Sequence, residues 1–372
     1  ATSNRVGVRG ALPVALLSIA FATLGSILWP PTAELPADVP DVAFLRALVR
    51  WDAGWYGEIA QNGYWLHPGQ QSPVAFFPLY PLVVRAFIFI GLNRWLAAAL
   101  VSFVAALGAV SLFARWARTV SPSHALTAFW LLTLYPFAEY LYGVVYSDAL
   151  FLLCAVAAFW SLERGKPVQA ALFGALATGC RPVAPAVVIG LLARSIELRL
   201  KTGQKLRVLD FVPALSGLGL LAFMIFLWAR FDDPLAFVHV QGAPGWEQPP
   251  GWESWLKLPW FRTMFPKVDF LIGLRLGGHA LVTVLALGLV VPTFKRLGWG
   301  YGVYTLLVVG IPAVSSKDFQ GLGRYVIAAF PLFLTLASLL ESRPQIRRGL
   351  LAVFGLVLVL LALAVGAGGY VA

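Results

Sequence analysis

Charge is scarce in this 372-residue sequence: Asp, Glu, Lys and Arg make up 12% of it, where a soluble domain carries about a quarter. Cysteine is nearly absent. The two present, Cys154 and Cys180, stand in or beside apolar runs with no C-x-x-C or metal-ligand spacing, which excludes a disulfide-stapled secreted scaffold and a cysteine metal site. They read as buried free thiols. The sequence has no G-x-x-x-x-G-K-[ST], no strand followed by G-x-G-x-x-G and no H-E-x-x-H, so ATP-driven transport and zinc proteolysis drop out. Its four histidines, His67, His124, His239 and His279, are too dispersed for a recognisable zinc cluster.

What is abundant is apolar. Hydrophobic residues are 59% of the chain, with 14 Trp and 26 Phe, and the mean hydropathy is +0.79. A water-facing surface of this size cannot be covered by 28 basic and 17 acidic side chains, so the solvent is lipid and the fold class is an all-α polytopic membrane protein. The net charge of +11 is then a matter of which loops hold the cations, and nucleic acid is not a partner.

A hydrocarbon core of about 30 Å needs about 20 helical residues. Eleven runs are read as spans, the fifth and sixth unusually short: Ala11–Trp29, Trp95–Ala114, Ala125–Leu141, Ala149–Leu162, Ala170–Gly179, Val183–Leu192, Val208–Ala229, Asp269–Thr293, Trp299–Pro312, Arg324–Leu340 and Gly349–Gly366. The first is too long for a signal-peptide core and no A-x-A site follows it, so it reads as a retained helix. Leu79–Leu92, which carries Pro81 and Arg85, is read as half-embedded. With that run left out, 16 of the 28 basic residues, Arg5 and Arg9 among them, fall in inside loops, against 11 if it spans. The positive-inside rule therefore selects eleven spans with the N-terminal side inside.

The whole chain, 1–372, reads as one membrane domain with two large outer loops, 30–94 and 231–267, and a shorter one at 313–323. Loops this long are functional or disordered, and the first two are too rich in Trp, Tyr and Phe for disorder. Val42–Arg50 sets Phe44, Leu45 and Leu48 against Arg46 and Arg50, a short amphipathic helix suited to the interface. A second helix follows from Ala53, with Gly63 as its stop.

Few side chains here can carry chemistry. Asp52, inside Arg50-Trp51-Asp52-Ala53-Gly54-Trp55-Tyr56, is either the N-cap of the helix at Ala53 or, desolvated by Trp51 and Trp55, a general base. Asp148, after Tyr146-Ser147, offers the same pair of readings for the helix at Ala149. Arg181 lies between two short apolar runs and Arg324, followed by Tyr325, opens another; each is either a snorkelling cation or a partner for an anion at the membrane boundary. Two acids and two arginines converging on one face suit an acid/base step beside a phosphate, which guanidinium grips bidentately.

Trp51-Asp52-Ala53, Trp55-Tyr56, Ile59-Ala60, Gly63-Tyr64, Phe76-Phe77-Pro78 with Pro81, Tyr146-Ser147-Asp148, Glu163-Arg164-Gly165 and Ala177-Thr178-Gly179 with Arg181 follow one another as in the PIG-V mannosyltransferases, a GT-C family of integral-membrane glycosyltransferases. The resemblance runs from Arg50 to Arg181 and thins afterwards to Pro234-Leu235-Ala236-Phe237, Gln241, Trp246 and Arg324-Tyr325 with Pro331. Where the family commonly has Glu, this chain has Asp148. The resemblance implies a GT-C-like bundle of about eleven transmembrane helices. Its implied activity is an inverting transfer of mannose, or a related hexose, from a polyprenyl- or dolichyl-phosphate donor to an acceptor hydroxyl on the outer or lumenal face. Asp52 and Asp148 are then the catalytic acids, with Asp52 the base. Arg181, Arg324 and Tyr325 hold the donor phosphate, and Trp51, Trp55, Tyr56, Tyr64, His239 and Gln241 line the substrate site. No cofactor is expected beyond the lipid-linked donor; Asp52, Asp148 and His239 are the alternative, as ligands of one divalent ion. The acceptor is a glycolipid, a glycan or a protein, and the membrane a prokaryotic plasma membrane rather than the endoplasmic reticulum. The rival function is a transporter or flippase of polyprenyl-linked sugars, which calls for an internal repeat; none is visible.

Overall fold

The computed structural model describes residues 7–30, 35–248, 251–265 and 268–371. Arg5, Lys267 and parts of the two large loops lie outside the described residues. The chain starts with α1 (Gly7–Leu28), then three short helices, α2 (Ala43–Leu48), α3 (Ala53–Asn62) and α4 (Leu79–Phe89), before α5 (Arg94–Val120). Next come α6 (Ala125–Thr133), α7 (Asp148–Glu163), α8 (Pro167–Thr178), α9 (Ala184–Lys201) and, after a 3-10 segment from Val208, α10 (Leu218–Phe231). Short helices α11 (Ala236–His239), α12 (Trp252–Trp255) and α13 (Leu258–Met264) cross the second large loop. The chain finishes with α14 (Phe270–Gly288), α15 (Val290–Leu297), α16 (Trp299–Ser315), α17 (Leu322–Ala328), α18 (Pro331–Leu339) and α19 (Pro344–Gly366). No strand occurs among the described residues.

Helix α7 is apolar on every side, and nearly all of it is buried, which makes it the centre of the bundle. Against it lies α5, whose buried stripe of Ala97, Ala98, Ser102, Ala105, Ala106 and Ala109 lets the two backbones approach closely. The tightest crossing joins α1 to α19. A Cβ on Gly25 would stand 2.1 Å from the Leu363 carbonyl oxygen, and one on Gly366 1.7 Å from that of Ala22. Only hydrogen fits there.

Among the described residues, five helical stretches are long and apolar enough to cross a membrane, including Val208–Phe231 and Phe270–Leu297, and a sixth if α17 and α18 count as one bent span. The count of eleven is not reached on length, because α7, α8 and α16 have 16, 12 and 17 residues. Two expected spans are corrected. Ala125–Leu141 is not continuous: α6 stops at Thr133, just before Tyr135-Pro136, where proline disfavours helix in the preceding residue and removes a donor. Residues 134–147 fold instead as an irregular segment, almost wholly buried, which a membrane protein tolerates only inside protein. Arg324–Leu340 is likewise bent, by 87° between α17 and α18, ahead of Pro331. The run at Leu79 forms an 11-residue helix, about 16 Å long and too short to cross.

Charge gathers at both ends of α7. At its C-terminal end Glu163 accepts bonds from Arg194 Nε and the Tyr301 hydroxyl, each at 2.7 Å. Glu197 accepts from Arg194 at 2.8 Å and from the backbone N–H groups of Trp299 and Gly300 at 3.0 and 2.9 Å. That carboxylate satisfies the free amides at the start of α16. Asp148 opens the other end, about 22 Å away.

Candidate functional site

Around Asp148 the elements α3, α7, α17 and the turn between α8 and α9 bring four charges together. Asp52 precedes α3 in a tight turn, in which Ala53 N–H donates to the Arg50 carbonyl at 2.9 Å and Gly54 N–H to that of Trp51 at 3.2 Å. Trp51 takes φ 46° to make that turn, a conformation that costs a bulky residue of order 1–3 kcal/mol and persists only when its surroundings impose it. Here the Trp51 ring meets Tyr370 edge-on, with centroids 5.3 Å apart.

This turn corrects the capping expectation. Asp52 holds the N-cap position of α3, yet its side chain makes no capping bond. Its carboxylate faces the Arg324 guanidinium at 3.6 Å, with 28% of the Asp52 side chain exposed against 11% of Arg324. The Asp52 backbone N–H donates to the Tyr146 hydroxyl at 3.2 Å. Burial pushes the Asp52 carboxyl above the ordinary carboxylate range; Arg324 opposes the rise and Asp148 adds to it.

Asp148 does not follow its own helix as a cap either. It is the first residue of α7 and forms an ion pair with Arg181, the two side chains only 4% and 6% exposed. Its second carboxylate oxygen has no hydrogen-bond partner, nor has Arg324 Nε. Tyr325 lies against Arg181, its ring centroid 4.6 Å from the guanidinium, and Tyr146 holds Arg324 in the same way at 4.8 Å. The Tyr56 hydroxyl bonds Ser147 Oγ at 2.8 Å, tying α3 to the start of α7, and burial raises its pKa.

The other expected site residues lie farther out. Trp55 packs among Trp65, Phe76 and Trp246, with centroids 6.1, 5.9 and 5.7 Å away. Tyr64 donates to the Phe76 carbonyl at 2.8 Å and joins Phe223 and Phe226 in the wall of a groove of about 510 Å³ that also holds Arg85 and Arg230. Pro78 belongs to that wall, and the next residue, Leu79, donates to the Gly179 carbonyl at 2.9 Å, two residues from Arg181. Gln241 donates to the Phe237 carbonyl at 3.4 Å, and His239 is exposed on Asp233 at 2.7 Å. No contact joins Tyr64, His239 or Gln241 to the two acids. The trio Asp52, Asp148 and His239 does not converge, and among the described residues no three His, Cys, Asp or Glu do so.

Tyr146, Ser147 and Tyr370 were not singled out in the sequence for the parts they play. Tyr146 and Ser147 stood in plain view beside Asp148; Tyr370, more than 300 positions from Asp52, had no local signal.

Residues 20–200 match the family described as Mannosyltransferase (PIG-V). Over that segment, just under half of its length, the chain is similar to the PIG-V mannosyltransferases. Asp52, Asp148 and Arg181 fall inside the matched segment, while Arg324 and Tyr370 fall outside it. Among solved structures, the apo oligosaccharyltransferase of Archaeoglobus fulgidus superposes with a TM-score of 0.52 over 97% of this chain, at 13% identity. This PIG-V-like chain spans 56% of that protein's length. At such identity the likeness is one of fold, and the fold is GT-C-like. No curated protein matches.

Proposed function

We propose that this chain transfers mannose, or a related hexose, from a polyprenyl-phosphate donor to an acceptor hydroxyl, with inversion at the sugar. The observation that carries the reading is the state of Asp52: a partly exposed carboxylate, free of its capping bond, beside a buried arginine. In the transfer, Asp52 takes the acceptor's hydroxyl proton while the acceptor oxygen attacks the anomeric carbon. The bond from that carbon to the phosphate oxygen breaks, and its electron pair leaves with the phosphate. A phosphate diester leaving as a monoester anion needs little protonation, so one base suffices.

The leaving charge is met by Arg324 and Arg181, where guanidinium offers two parallel bonds to phosphate oxygens. Asp148 and Tyr325 hold Arg181 in place. The groove of Tyr64, Phe223 and Phe226, next to Arg181 through the Leu79–Gly179 bond, suits the donor's isoprenoid chain, and Arg85 and Arg230 compensate headgroup charge. The reaction takes place on the outer face of a prokaryotic plasma membrane, with no metal required.

The test supplies membranes with radiolabelled polyprenyl-phosphate mannose. Label enters a new glycosidic product with the wild-type chain and not with Asp52→Asn. Label that crosses the membrane still attached to polyprenyl phosphate, equally well in both, overturns the reading in favour of transport.

A further inference from the structure

Arg324 is held by aromatic faces. Its guanidinium lies 4.8 Å from the ring centroid of Tyr146, 5.4 Å from that of Tyr140 and 5.9 Å from that of Tyr325. Its distance to the Asp52 carboxylate is 3.6 Å, beyond a hydrogen bond. An arginine and a carboxylate left to themselves in a partly buried site close to about 2.8 Å, often through two parallel bonds.

Tyr146 touches both partners. Its hydroxyl accepts the Asp52 backbone N–H at 3.2 Å, and its ring carries Arg324. The ring is fixed in turn. Tyr146 is 1% exposed and meets Tyr140 and Tyr56 edge-on, with centroids 5.2 and 6.2 Å away. Its carbonyl accepts from Ser102 Oγ of α5 at 3.2 Å, and Ser102 is bonded to the Tyr80 hydroxyl at 2.9 Å. One packed side chain thus pins the backbone of the acid with its tip and the cation with its face.

The spacing has two chemical consequences. A guanidinium closed onto Asp52 would hold the carboxylate as an anion to lower pH and weaken it as a base. The approach from 3.6 Å to about 2.8 Å corresponds to about one pKa unit at an effective dielectric of about 20. It would also spend on Asp52 the paired N–H groups that a phosphate needs. We propose that Tyr146 is a positioning residue, a spacer that keeps Arg324 from closing onto Asp52 and so leaves both available to substrate. The inference rests on Asp52 as the base. Of the other groups facing that carboxylate, Asp148 and Arg181 are paired with each other, and Tyr56, Tyr140 and Tyr370 are phenols, neutral wherever a carboxylate titrates.

The acid limb of kcat/KM, measured with radiolabelled polyprenyl-phosphate mannose, reads the base in the free enzyme. Tyr146→Phe keeps the ring and should keep the limb. Tyr146→Leu removes the aromatic face and should move the limb down by about one pH unit, with the donor KM raised. A trifluorinated phenylalanine at position 146 has the shape of Phe with little negative charge on its face. It should move the limb down relative to Tyr146→Phe, and it decides the matter if the leucine variant does not fold. A role in packing alone would lower the melting temperature and leave the limb in place. A limb that stays put or moves up in the folded leucine variant or the fluorinated one, or that moves as far in Tyr146→Phe as in Tyr146→Leu, overturns the spacer. The failures separate: Asp52→Asn with full mannosyl transfer removes the base, whereas an inactive Asp52→Asn beside Tyr146 variants with the wild-type limb removes only the spacer.

Discussion

If Asp52 is the base, as proposed, replacing it by Asn removes the proton acceptor and little else. The carboxylate makes no bond to the start of α3, so the amide forfeits no cap. What it loses is the attraction to Arg324 at 3.6 Å, a gross term of about 4–5 kcal/mol at an effective dielectric of about 20. Against that stand the desolvation of the carboxylate and the repulsion from Asp148, both of which raise its pKa. The terms nearly cancel, and the variant should unfold within about 1 kcal/mol of the wild type. A positioned base contributes 10²- to 10⁴-fold, so turnover of radiolabelled donor falls by about that factor. An Asn variant that melts normally and keeps more than about a tenth of wild-type activity refutes the assignment. The pH profile gives a second reading. Because the folded carboxyl titrates above its ordinary value of 3.8, kcat/KM should rise with pH along an acid limb displaced upward from that value. Stability runs the other way: the folded chain keeps this proton to higher pH than the unfolded chain, so the group favours folding at low pH and that contribution is lost as pH rises through the window. Melting temperatures of wild type minus Asp52→Asn across that window check the sign.

Arg181→Gln strands Asp148 in a buried site and should cost about 3–5 kcal/mol, most of it recovered in Asp148→Asn/Arg181→Gln; equal melting of the single and double variants would remove the pair as a structural element. Gly366→Val drives a Cβ into the Ala22 carbonyl and should destabilise by about 1–3 kcal/mol or more, read in thermal unfolding. Activity should survive EDTA, because His239 is engaged by Asp233; a loss restored by Mn²⁺, Mg²⁺ or Zn²⁺ would reverse that view. Thiol reagents should reach Ser315→Cys from outside and Ser123→Cys only after permeabilisation, both positions being exposed; the opposite pattern puts Asp52 on the wrong face.

The charged members of the site were legible because a cation or carboxylate in an apolar setting is expensive and so needs a partner. That reasoning picks out Asp52, Asp148, Arg181 and Arg324, and the structure gathers them. Which acid meets which arginine was not legible, since it depends on the bend before Pro331 that sets Arg324 over Tyr146. Nor was the fate of the two caps. A carboxylate before a helix reads as an N-cap by local rules, and here tertiary contacts override them: Trp51 is held against Tyr370 in a left-handed conformation, and Arg181 claims Asp148. Hydropathy found the long helices α1, α5 and α19 within a few residues, but passed over Pro136 because a running apolar average does not register a missing backbone donor.

The two acids, alike in charge, are placed for different work. Asp148 is sealed, with both it and Arg181 almost without solvent contact. In the proposed mechanism its use is to hold Arg181, which lies against Tyr325. Asp52 is the looser of the two: its arginine stands beyond hydrogen-bond distance, solvent reaches it, and its pKa is raised rather than lowered. A base must exchange its proton with each turnover, and of the two acids the looser, solvent-reached Asp52 suits that part of the proposed mechanism. In the proposed mechanism Asp148 needs reach only to its arginine, which its short side chain supplies in the pair with Arg181, and none to the substrate.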